Sequence, residues 1–239
     1  RGLGITWWGN IRFDKGFSDE VCQLMAQSGC VAVSAGLECA QDRLLKLMNK
    51  GITLESARET CRALKQADIM VHAYLMYDFP TETLEETLEA LTNVRDMFAN
   101  GLLDSAFWHR FALTVHSPIA ANPSAYGITL CEQEHPAQIF ALNEISYVEQ
   151  EKPYIQKLGA ALKTATYNYM QKVGFEYPAE FFYNLYKQKK SAIKKRPIFL
   201  FIEKEQLLAF CEEGVIPFQL THLLGEGGCF VARDPSAQS

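Results

Sequence analysis

The sequence lacks the short motifs that mark several large enzyme classes. It contains no phosphate-binding loop (GxxxxGK followed by Ser or Thr), no GxGxxG fingerprint, no GxSxG nucleophile elbow and no HExxH zinc motif. Its five histidines, at positions 72, 109, 116, 135 and 222, include no pair at the i, i+4 spacing of a helical metal site. These absences leave the hydrolase, kinase and zinc-protease classes without support.

The cysteines show neither a metal-ligand pattern nor a disulfide pattern. There are seven, an odd number, and no two of them stand in a CxxC or other compact spacing. The apolar runs all fall short of the about 20 residues that a membrane span needs, and the first residues carry no signal-peptide pattern. We therefore predict reduced thiols, no metal ligands within this chain, no membrane segment and a cytoplasmic location.

The composition predicts a folded protein. Of the 239 residues, 48% are hydrophobic and 21% are charged, so that enough apolar area is present to offset the entropy lost on ordering the backbone. The first residue is Arg, and a strand-like pattern begins within a few residues of it. We therefore expect the chain to be a piece of a longer protein.

The first part of the chain repeats one unit, a short β run followed by a turn and an amphipathic helix. The predicted strands span 5–13, 30–37, 69–79 and 104–115. Cap residues predict the helices, which are bracketed by Ser18 and Gly29, lie at 42–49 and 53–67, and start at a Thr83–Glu86 capping box. Strands that alternate with such helices pair in parallel through right-handed crossovers. The predicted fold class is therefore α/β, a partial TIM-like (β/α) barrel with parallel strands, followed by a mainly helical extension.

Alternation along the predicted strands separates an apolar face, which can hold the helices, from a polar or small face. The fourth strand is predicted to turn Phe107 and Phe111 to the apolar face and Trp108 to the other, although His109 then falls on the apolar side. Near the predicted carboxyl ends, the polar faces carry Arg12, Glu38, Asp78 and Arg110. Ligands of parallel α/β proteins bind at those ends.

Three segments are predicted along the chain. Residues 1–118 form the barrel part, 119–136 a loop rich in Ser, Pro, Ala, Asn and Gly, and 137–239 a helical extension with a short α/β tail. Many aromatic residues fall within this extension, and we predict that they pack against one another rather than stack on bases.

A basic run stands at the end of the aromatic region. Its members are Lys187, Lys189, Lys190, Lys194, Lys195 and Arg196. Without them the chain has 17 positive against 28 negative charges, a net of -11, which argues against a broad nucleic-acid surface. The alternative to an enzyme is a non-catalytic α/β module that holds a nucleotide or RNA in a strand-end cleft with help from this run.

The predicted strand ends carry residues suited to ligand contact. Gly36 allows the backbone to approach a ligand closely, and Glu38 presents a carboxylate to hydroxyls or an ammonium group. Phe79-Pro80 ends the third strand and aims the next helix N-terminus at the same edge. Arg110, Thr114 and His116 face either a ligand or structural neighbours, and the sequence leaves both possibilities open.

In their order and spacing, residues 5–118 resemble the second part of the barrel of radical S-adenosylmethionine (SAM) enzymes. The resemblance depends on Arg12, on the segment SxGLE continued by DRxLKxxxKG, and on a strand that ends in FPTET. It covers about half of the chain. It implies that SAM is bound at the strand ends, with Arg12 near its carboxylate and Ser34, Gly36 and Glu38 near its ribose or methionyl part.

The same resemblance implies roles for the later strands and for an iron–sulfur cluster. Asp78, which stands where the family usually has Gly, belongs to the strand that supports the adenine, and Arg110 is a further candidate for cofactor contact. In the family, a CxxxCxxC loop holds a 4Fe-4S cluster that drives reductive SAM cleavage. This chain has no such loop. We therefore expect both cofactors in a full-length parent and neither firmly bound to this chain, which alone would be inactive.

The substrate is not identified by the resemblance, because methyl transfer, methylthiolation and other radical reactions use the same barrel. A cut barrel would also expose an unpaired strand near residue 5, through which the chain is expected to self-associate.

Overall fold

The computed structural model describes residues 4–131, 143–149 and 152–187, together with two short strands at 201–203 and 231–233. At its centre lies a sheet of four parallel strands in the order β1-β2-β3-β4. The strands span Trp7–Ile11 (β1), Cys30–Glu38 (β2), Met70–Tyr77 (β3) and Ser105–Arg110 (β4). This sheet confirms the predicted α/β class and the parallel pairing, although β4 ends well before position 115.

The helices begin where the sequence carries their caps. The first four helices are α1 (Asp19–Gln27), α2 (Asp42–Leu47), α3 (Leu54–Gln66) and α4 (Leu84–Ala99). The Ser18 side chain accepts a hydrogen bond from the N–H of Val21, while Thr53 and Thr83 each form a capping box. Gly29 adopts φ +94° just after the end of α1, as predicted for a residue that stops a helix.

Short elements follow the sheet, and two longer helices come after them. These elements are α5 (Pro118–Ala121), a 3-10 turn (Pro123–Tyr126), the antiparallel pair β5 (Thr129–Leu130) and β6 (Tyr147–Val148), then α6 (Ile155–Met170) and α7 (Ala179–Lys187). Two last strands, β7 (Phe201–Glu203) and β8 (Val231–Arg233), pair in parallel. Within the described ranges, no helix has the length and hydrophobicity that crossing a lipid bilayer requires.

The apolar face of the sheet packs against helices, as predicted for β2 and β3. Its residues Val33, Ala35, Leu37, Val71, Ala73 and Leu75 are all buried. The opposite face is more open to solvent, where Trp8, Met70 and Tyr74 are 56%, 51% and 38% exposed. This asymmetry provides the two-sided sheet that the strand alternation indicates.

The predicted facing of β4 is wrong. In the register of the sheet Trp108 lies beside Leu75 and Ala106 beside Ala73, so both belong to the helix face. Trp108 is 1% exposed, and its Nε1 donates a hydrogen bond of 2.8 Å to Oγ1 of Thr166 in α6. Phe107, which was expected to be buried, is 41% exposed on the open face. The alternation of β4 is ambiguous in sequence because aromatic residues occupy both of its faces, and docking of α6 decides between them.

Aromatic side chains of the extension after β6 pack against one another, in agreement with the packing prediction. Tyr169 stacks on Phe175 with ring centroids 5.5 Å apart and meets Phe182 edge to face at 5.8 Å. Tyr169 and Phe182 are fully or almost fully buried. The basic run beyond Lys187 lies outside the described residues. The segment boundaries at 118 and 136 stay predictions.

β1 lies at one edge of the sheet, and its outer side has no strand partner among the described residues. This position is the one from which self-association was predicted, and that association stays a prediction.

A methyl group at Gly159 is expected to weaken the docking of α6. A Cβ at this position would lie 2.3 Å from the Tyr77 hydroxyl oxygen and 2.8 Å from Cζ of the same ring. Gly→Ala in a helix normally favours folding by roughly 1 kcal/mol, whereas overpacking against a buried ring costs about 1–3 kcal/mol. We expect Gly159→Ala to lower the free energy of unfolding, measured by urea denaturation followed by circular dichroism.

The partner ring provides the control for this substitution. Tyr77→Phe removes the atom closest to the added methyl group, so the loss caused by Gly159→Ala should be smaller in the Tyr77→Phe background. An equal loss in both backgrounds would show that the contact is not responsible.

Candidate functional site at the carboxyl ends of the sheet

The backbone after β2 and β3 adopts unusual dihedral angles. Glu38, Ala40, Asp78 and Thr81 have φ of 53°, 45°, 65° and 69°, in the left-handed region that non-glycine residues rarely occupy. All four lie at or just beyond the carboxyl ends of neighbouring strands. Such strain is concentrated in proteins at functional sites, which makes this edge of the sheet the candidate site.

The first group of predicted residues meets around Glu38. Lys50 forms an ion pair with Oε1 of Glu38, and both side chains are about three-quarters buried. Gly36 makes this contact possible, because a Cβ there would lie 2.2 Å from Oε1 of Glu38 and 3.0 Å from the ammonium nitrogen of Lys50. The small residue thus admits a side chain of the protein itself, rather than leaving an open gap beneath a ligand.

Arg12 lies next to this group. Gly51 follows Lys50 and has φ +72°, and a Cβ on it would lie 2.7 Å from Nη2 of Arg12. Arg12 is exposed, and its side chain has no hydrogen-bond or ion-pair partner among the described residues. Its guanidinium is therefore available to an anion beside the Glu38–Lys50 pair.

Ser34 is also part of this edge but is already engaged. It is 3% exposed, and its Oγ accepts a hydrogen bond of 3.0 Å from Nε1 of Trp8. Ser34 therefore fixes the orientation of the Trp8 ring on the open face of the sheet.

The second group of predicted residues meets around Asp78. Arg110 Nε donates to Oδ2 of Asp78 at 2.8 Å, and Lys152 Nζ lies 3.2 Å from Oδ1. Lys152 also pairs with Glu149 at 3.0 Å, and the N–H of Thr81 donates to Glu149 Oε1 at 3.1 Å. The structure thus brings Asp78 and Arg110 together and uses both carboxylate oxygens of Asp78 within the protein.

A cavity of about 430 Å³ opens beside this second group. Its charged wall contains two cations, Arg110 and Lys152, and the carboxylates of Asp78, Glu144 and Glu149. Phe111 and Tyr147 contribute the aromatic part of the wall. Burial is the largest cause that raises the pKa of Tyr147 to about 12, so its phenol stays protonated at neutral pH. We refer to this space as the Arg110 cavity.

Thr114 and His116, the other two candidates at this strand end, are not among the residues that meet around Glu38 or Asp78. Thr114 pairs through its backbone with Glu144, and Ser117 rather than His116 caps the helix that follows. His116 is exposed.

Sequence reasoning missed several residues that build the site. Lys50 stood within a motif that carried the resemblance, but its pairing with Glu38 was not predicted. Lys152 and Glu149 lie far along the chain from Asp78 and are brought to it by the segment that precedes α6. No local sequence pattern predicts such a long-range ion pair.

Glu82 is a further missed residue, buried between the two groups with 4% exposure. Its carboxylate accepts hydrogen bonds from the N–H of Phe79 at 2.9 Å and from the Thr87 hydroxyl at 2.8 Å. Cys39 Sγ lies 3.9 Å from Oε2. Burial is the main cause that raises the pKa of Glu82 to about 7.

The donor set of the described residues does not fit an iron–sulfur cluster. Cys22, Cys30, Cys39 and Cys61 are buried and Cys131 is half-buried, all as free thiols. Within the described ranges, no three His, Cys, Asp or Glu side chains come close enough together to hold a metal ion. The remaining two cysteines, Cys211 and Cys229, lie outside those ranges.

The fold and the charged strand ends together define an α/β protein with a candidate ligand site at the carboxyl edge of a parallel sheet. Comparison with known proteins shows what part of the chain is similar to: the family model of the Radical SAM superfamily matches residues 10–94. The match covers a little over a third of the chain and confirms the resemblance to this superfamily seen in the sequence.

Characterised relatives come from several reaction types. The chain is 30% identical over 116 residues to the tRNA-2-methylthio-N(6)-dimethylallyladenosine synthase of Thermotoga petrophila, a match of 46% of this chain and 24% of the synthase. It is 26% identical over 184 residues to the anaerobic magnesium-protoporphyrin IX monomethyl ester cyclase of Rubrivivax gelatinosus, a match of 74% of this chain and 31% of the cyclase.

A solved structure supports the fold. The cobalamin-dependent SAM radical enzyme OxsB superposes with a TM-score of 0.51 at 12% identity, over 78% of this chain and 34% of that protein. At this identity the similarity concerns the fold alone. The chain spans about a quarter to a third of the length of these three proteins.

Proposed function

We propose that this chain forms part of the barrel of an enzyme that binds SAM at the Arg12–Glu38 edge and uses it in radical chemistry. The observation that supports this proposal most directly is the grouping of Arg12, Gly36 and Glu38 at one strand end, within the segment that matches the superfamily. Contact of Asp78 and Arg110 with the cofactor is a separate proposal. Both carboxylate oxygens of Asp78 are already paired within the protein, to Arg110 and to Lys152.

The residues of this edge fit the polar parts of SAM. Arg12 offers a guanidinium without a protein partner, which suits a carboxylate. Lys50 holds one oxygen of Glu38, and the second oxygen can accept hydrogen bonds from ribose hydroxyls or the ammonium group.

When bound, SAM supplies the radical chemistry characteristic of the superfamily, and the chain's own residues bind and orient it. The described residues provide no ligands for the iron–sulfur cluster, so we propose that other parts of the complete protein hold it. A reducing compartment such as the cytoplasm fits the free thiols of the described residues.

Methyl or methylthio transfer is the proposed reaction class. The synthase of Thermotoga petrophila is a methylthio-group enzyme by name, and a 32% identical relative over 85 residues is an uncharacterized methyltransferase of Pyrococcus horikoshii. These matches cover the shared barrel segment, so the substrate is a separate question.

Loss of Arg12 or Glu38 is expected to weaken SAM binding. In the complete protein, purified and reconstituted without oxygen, Arg12→Gln or Glu38→Gln should lower kcat/KM for SAM cleavage by about 10- to 100-fold, because each removes a charge-assisted hydrogen bond. The measurement is 5′-deoxyadenosine formation by chromatography, with SAM affinity by calorimetry alongside.

Two substitutions on the far side of α3 provide controls. Arg62→Gln and Glu55→Gln remove an exposed ion pair with no contact to the candidate site and should leave SAM cleavage unchanged. If Arg12→Gln and Glu38→Gln behave like these controls, or if the complete protein neither takes up a cluster nor cleaves SAM, the proposed function is wrong.

A further inference from the structure

We propose that the Arg110 cavity binds a carboxylate of the substrate, and that Arg110 is the residue that recognises it. The cavity lies at the end of β4 and is bounded by the segment that leads into α6. Its distinguishing feature is one guanidinium that the protein fixes at Nε and leaves open at its other nitrogens.

The orientation of Arg110 is set by a buried carboxylate. Asp78 is 5% exposed and accepts the Nε–H of Arg110, whereas the Arg110 side chain is 58% exposed. No other hydrogen bond or ion pair of Arg110 occurs among the described residues. Both Nη groups therefore present their N–H donors to the cavity, an arrangement that matches the two oxygens of a carboxylate.

Asp78, which orients Arg110, has a strained backbone conformation. Its φ of 65° lies in the left-handed region, where Gly would be free of strain and where Asp is tolerated because of its short polar side chain. Asp at this position lacks the conformational freedom of Gly, but its carboxylate pairs with both Arg110 and Lys152. The position therefore serves the pairing.

The balance of charge favours a single carboxylate over a phosphate. Lys152 and Arg110 face the carboxylates of Asp78 and Glu149, so these four paired groups are neutral as a whole, and Glu144 adds a third carboxylate to the cavity wall. Only one of its cations keeps free donors, and a doubly charged phosphate would require more. The remaining wall contains Phe111, Ile145 and Tyr147, which suits an apolar or aromatic body attached to the carboxylate.

That the bound carboxylate belongs to a substrate rests on the proposed function, whereas the binding of a carboxylate in the cavity does not. A carboxylate could also come from the methionyl part of SAM. The two sources predict different behaviour of two arginines. A cofactor carboxylate held at the first group should depend on Arg12, and a substrate carboxylate in the Arg110 cavity should depend on Arg110.

The experiment titrates the 239-residue chain with 3-phenylpropionate and with 3-phenylpropionamide, its uncharged counterpart, followed by two-dimensional NMR. Methionine and inorganic phosphate are titrated in parallel. We expect the carboxylate to shift the Nε–H signal of Arg110 and to bind at least about tenfold more tightly than the amide, since a charge-assisted hydrogen bond is worth about 1.5–3 kcal/mol.

Variants assign the effect to one residue. Arg110→Gln should abolish saturable binding of 3-phenylpropionate, and Arg110→Lys, which keeps the charge without the planar fork, should weaken it. The exposed pair variant Arg62→Gln should leave it unchanged. Thermal melting of each variant confirms that it remains folded, which is expected because Arg110 is mostly exposed at the side chain.

Three results would overturn the inference. The first is equal affinity for 3-phenylpropionate and its amide, and the second is that Arg110→Gln still binds 3-phenylpropionate. The third is that methionine competes with 3-phenylpropionate and that this competition is lost in Arg12→Gln rather than in Arg110→Gln. Each is measured on the chain without SAM cleavage, so a failure here is distinguishable from a failure of the proposed enzyme function.

Discussion

Replacing Trp108 with alanine is expected to lower the free energy of unfolding by about 3–5 kcal/mol, the usual cost of removing a fully buried large aromatic side chain. The ring is 1% exposed between the sheet and α6, and its indole N–H is bonded to Thr166. The substitution removes this contact and leaves a cavity where β4 meets the helix. Urea denaturation followed by fluorescence or circular dichroism measures the loss.

Trp8 is the matched control for this prediction. It is 56% exposed on the open face and also donates its indole N–H to a hydroxyl, that of Ser34. Trp8→Ala should therefore cost about 1 kcal/mol or less, the scale of one partly exposed hydrogen bond. If Trp108 instead faced the interior of an incomplete barrel, as the strand alternation indicated, the two substitutions would have similarly small effects.

The second large effect is a dependence of stability on pH that arises at Glu82. Its pKa rises from an ordinary 4.5 to about 7, chiefly because it is buried. The Phe79 N–H, the Thr87 hydroxyl and Lys152 favour its charged form, and Asp78 opposes it. The neighbouring Cys39 thiol has its pKa raised well above 9 by burial, so it stays neutral below pH 8.

The sign of this effect follows from proton linkage. Between pH 4.5 and about 7 the folded state holds the Glu82 proton more tightly than the unfolded state, so the free energy of unfolding falls as pH rises. Each pKa unit corresponds to about 1.4 kcal/mol, which makes the loss at most about 3 kcal/mol above pH 7. Below pH 4.5 both states are protonated, and the contribution is fully present.

Glu82→Gln isolates this contribution. The amide oxygen can accept from the Phe79 N–H, and the amide NH₂ can donate to Thr87, whose hydroxyl also donates to the Thr83 carbonyl. We expect the variant to gain up to about 3 kcal/mol relative to the wild type between pH 5 and pH 8. Urea denaturation at both pH values measures the difference.

Glu86 serves as the control carboxylate in the same region. Its hydrogen bonds with Arg43 are the main cause that lowers its pKa, so its stabilising contribution is lost only as pH falls below the ordinary range. Glu86→Gln should therefore change stability equally at pH 5 and pH 8. Parallel pH curves for the wild type and Glu82→Gln would contradict the assignment to Glu82.

Much of the fold was predictable because its signals are local. Caps at Ser18, Thr53 and Thr83 set the helix starts within a single turn, and the alternation of apolar and polar residues in β3 sets its buried face. These interactions involve residues close in sequence. The order of strands and helices follows from them, and with it the parallel sheet.

The candidate site was predictable only as a set of residue types at strand ends. The order of Arg12, Ser34, Gly36, Glu38, Asp78 and Arg110 along the chain indicated where a ligand edge would form. Their partners were not predictable, because Glu38 is held by Lys50 across a loop and Asp78 by Lys152 from beyond the sheet. The roles of the two acidic residues depend on those partners.

The chain's local patterns were sufficient for its α/β class and for its resemblance to the radical SAM superfamily, because both follow from short-range periodicity and strand-end residues. Three features required the folded molecule: the burial of Trp108 against α6, the closure of the Arg110 cavity and the buried carboxylate of Glu82. Each depends on segments distant in sequence being packed together, where the loss of water decides which face of a strand is buried and which charges must pair.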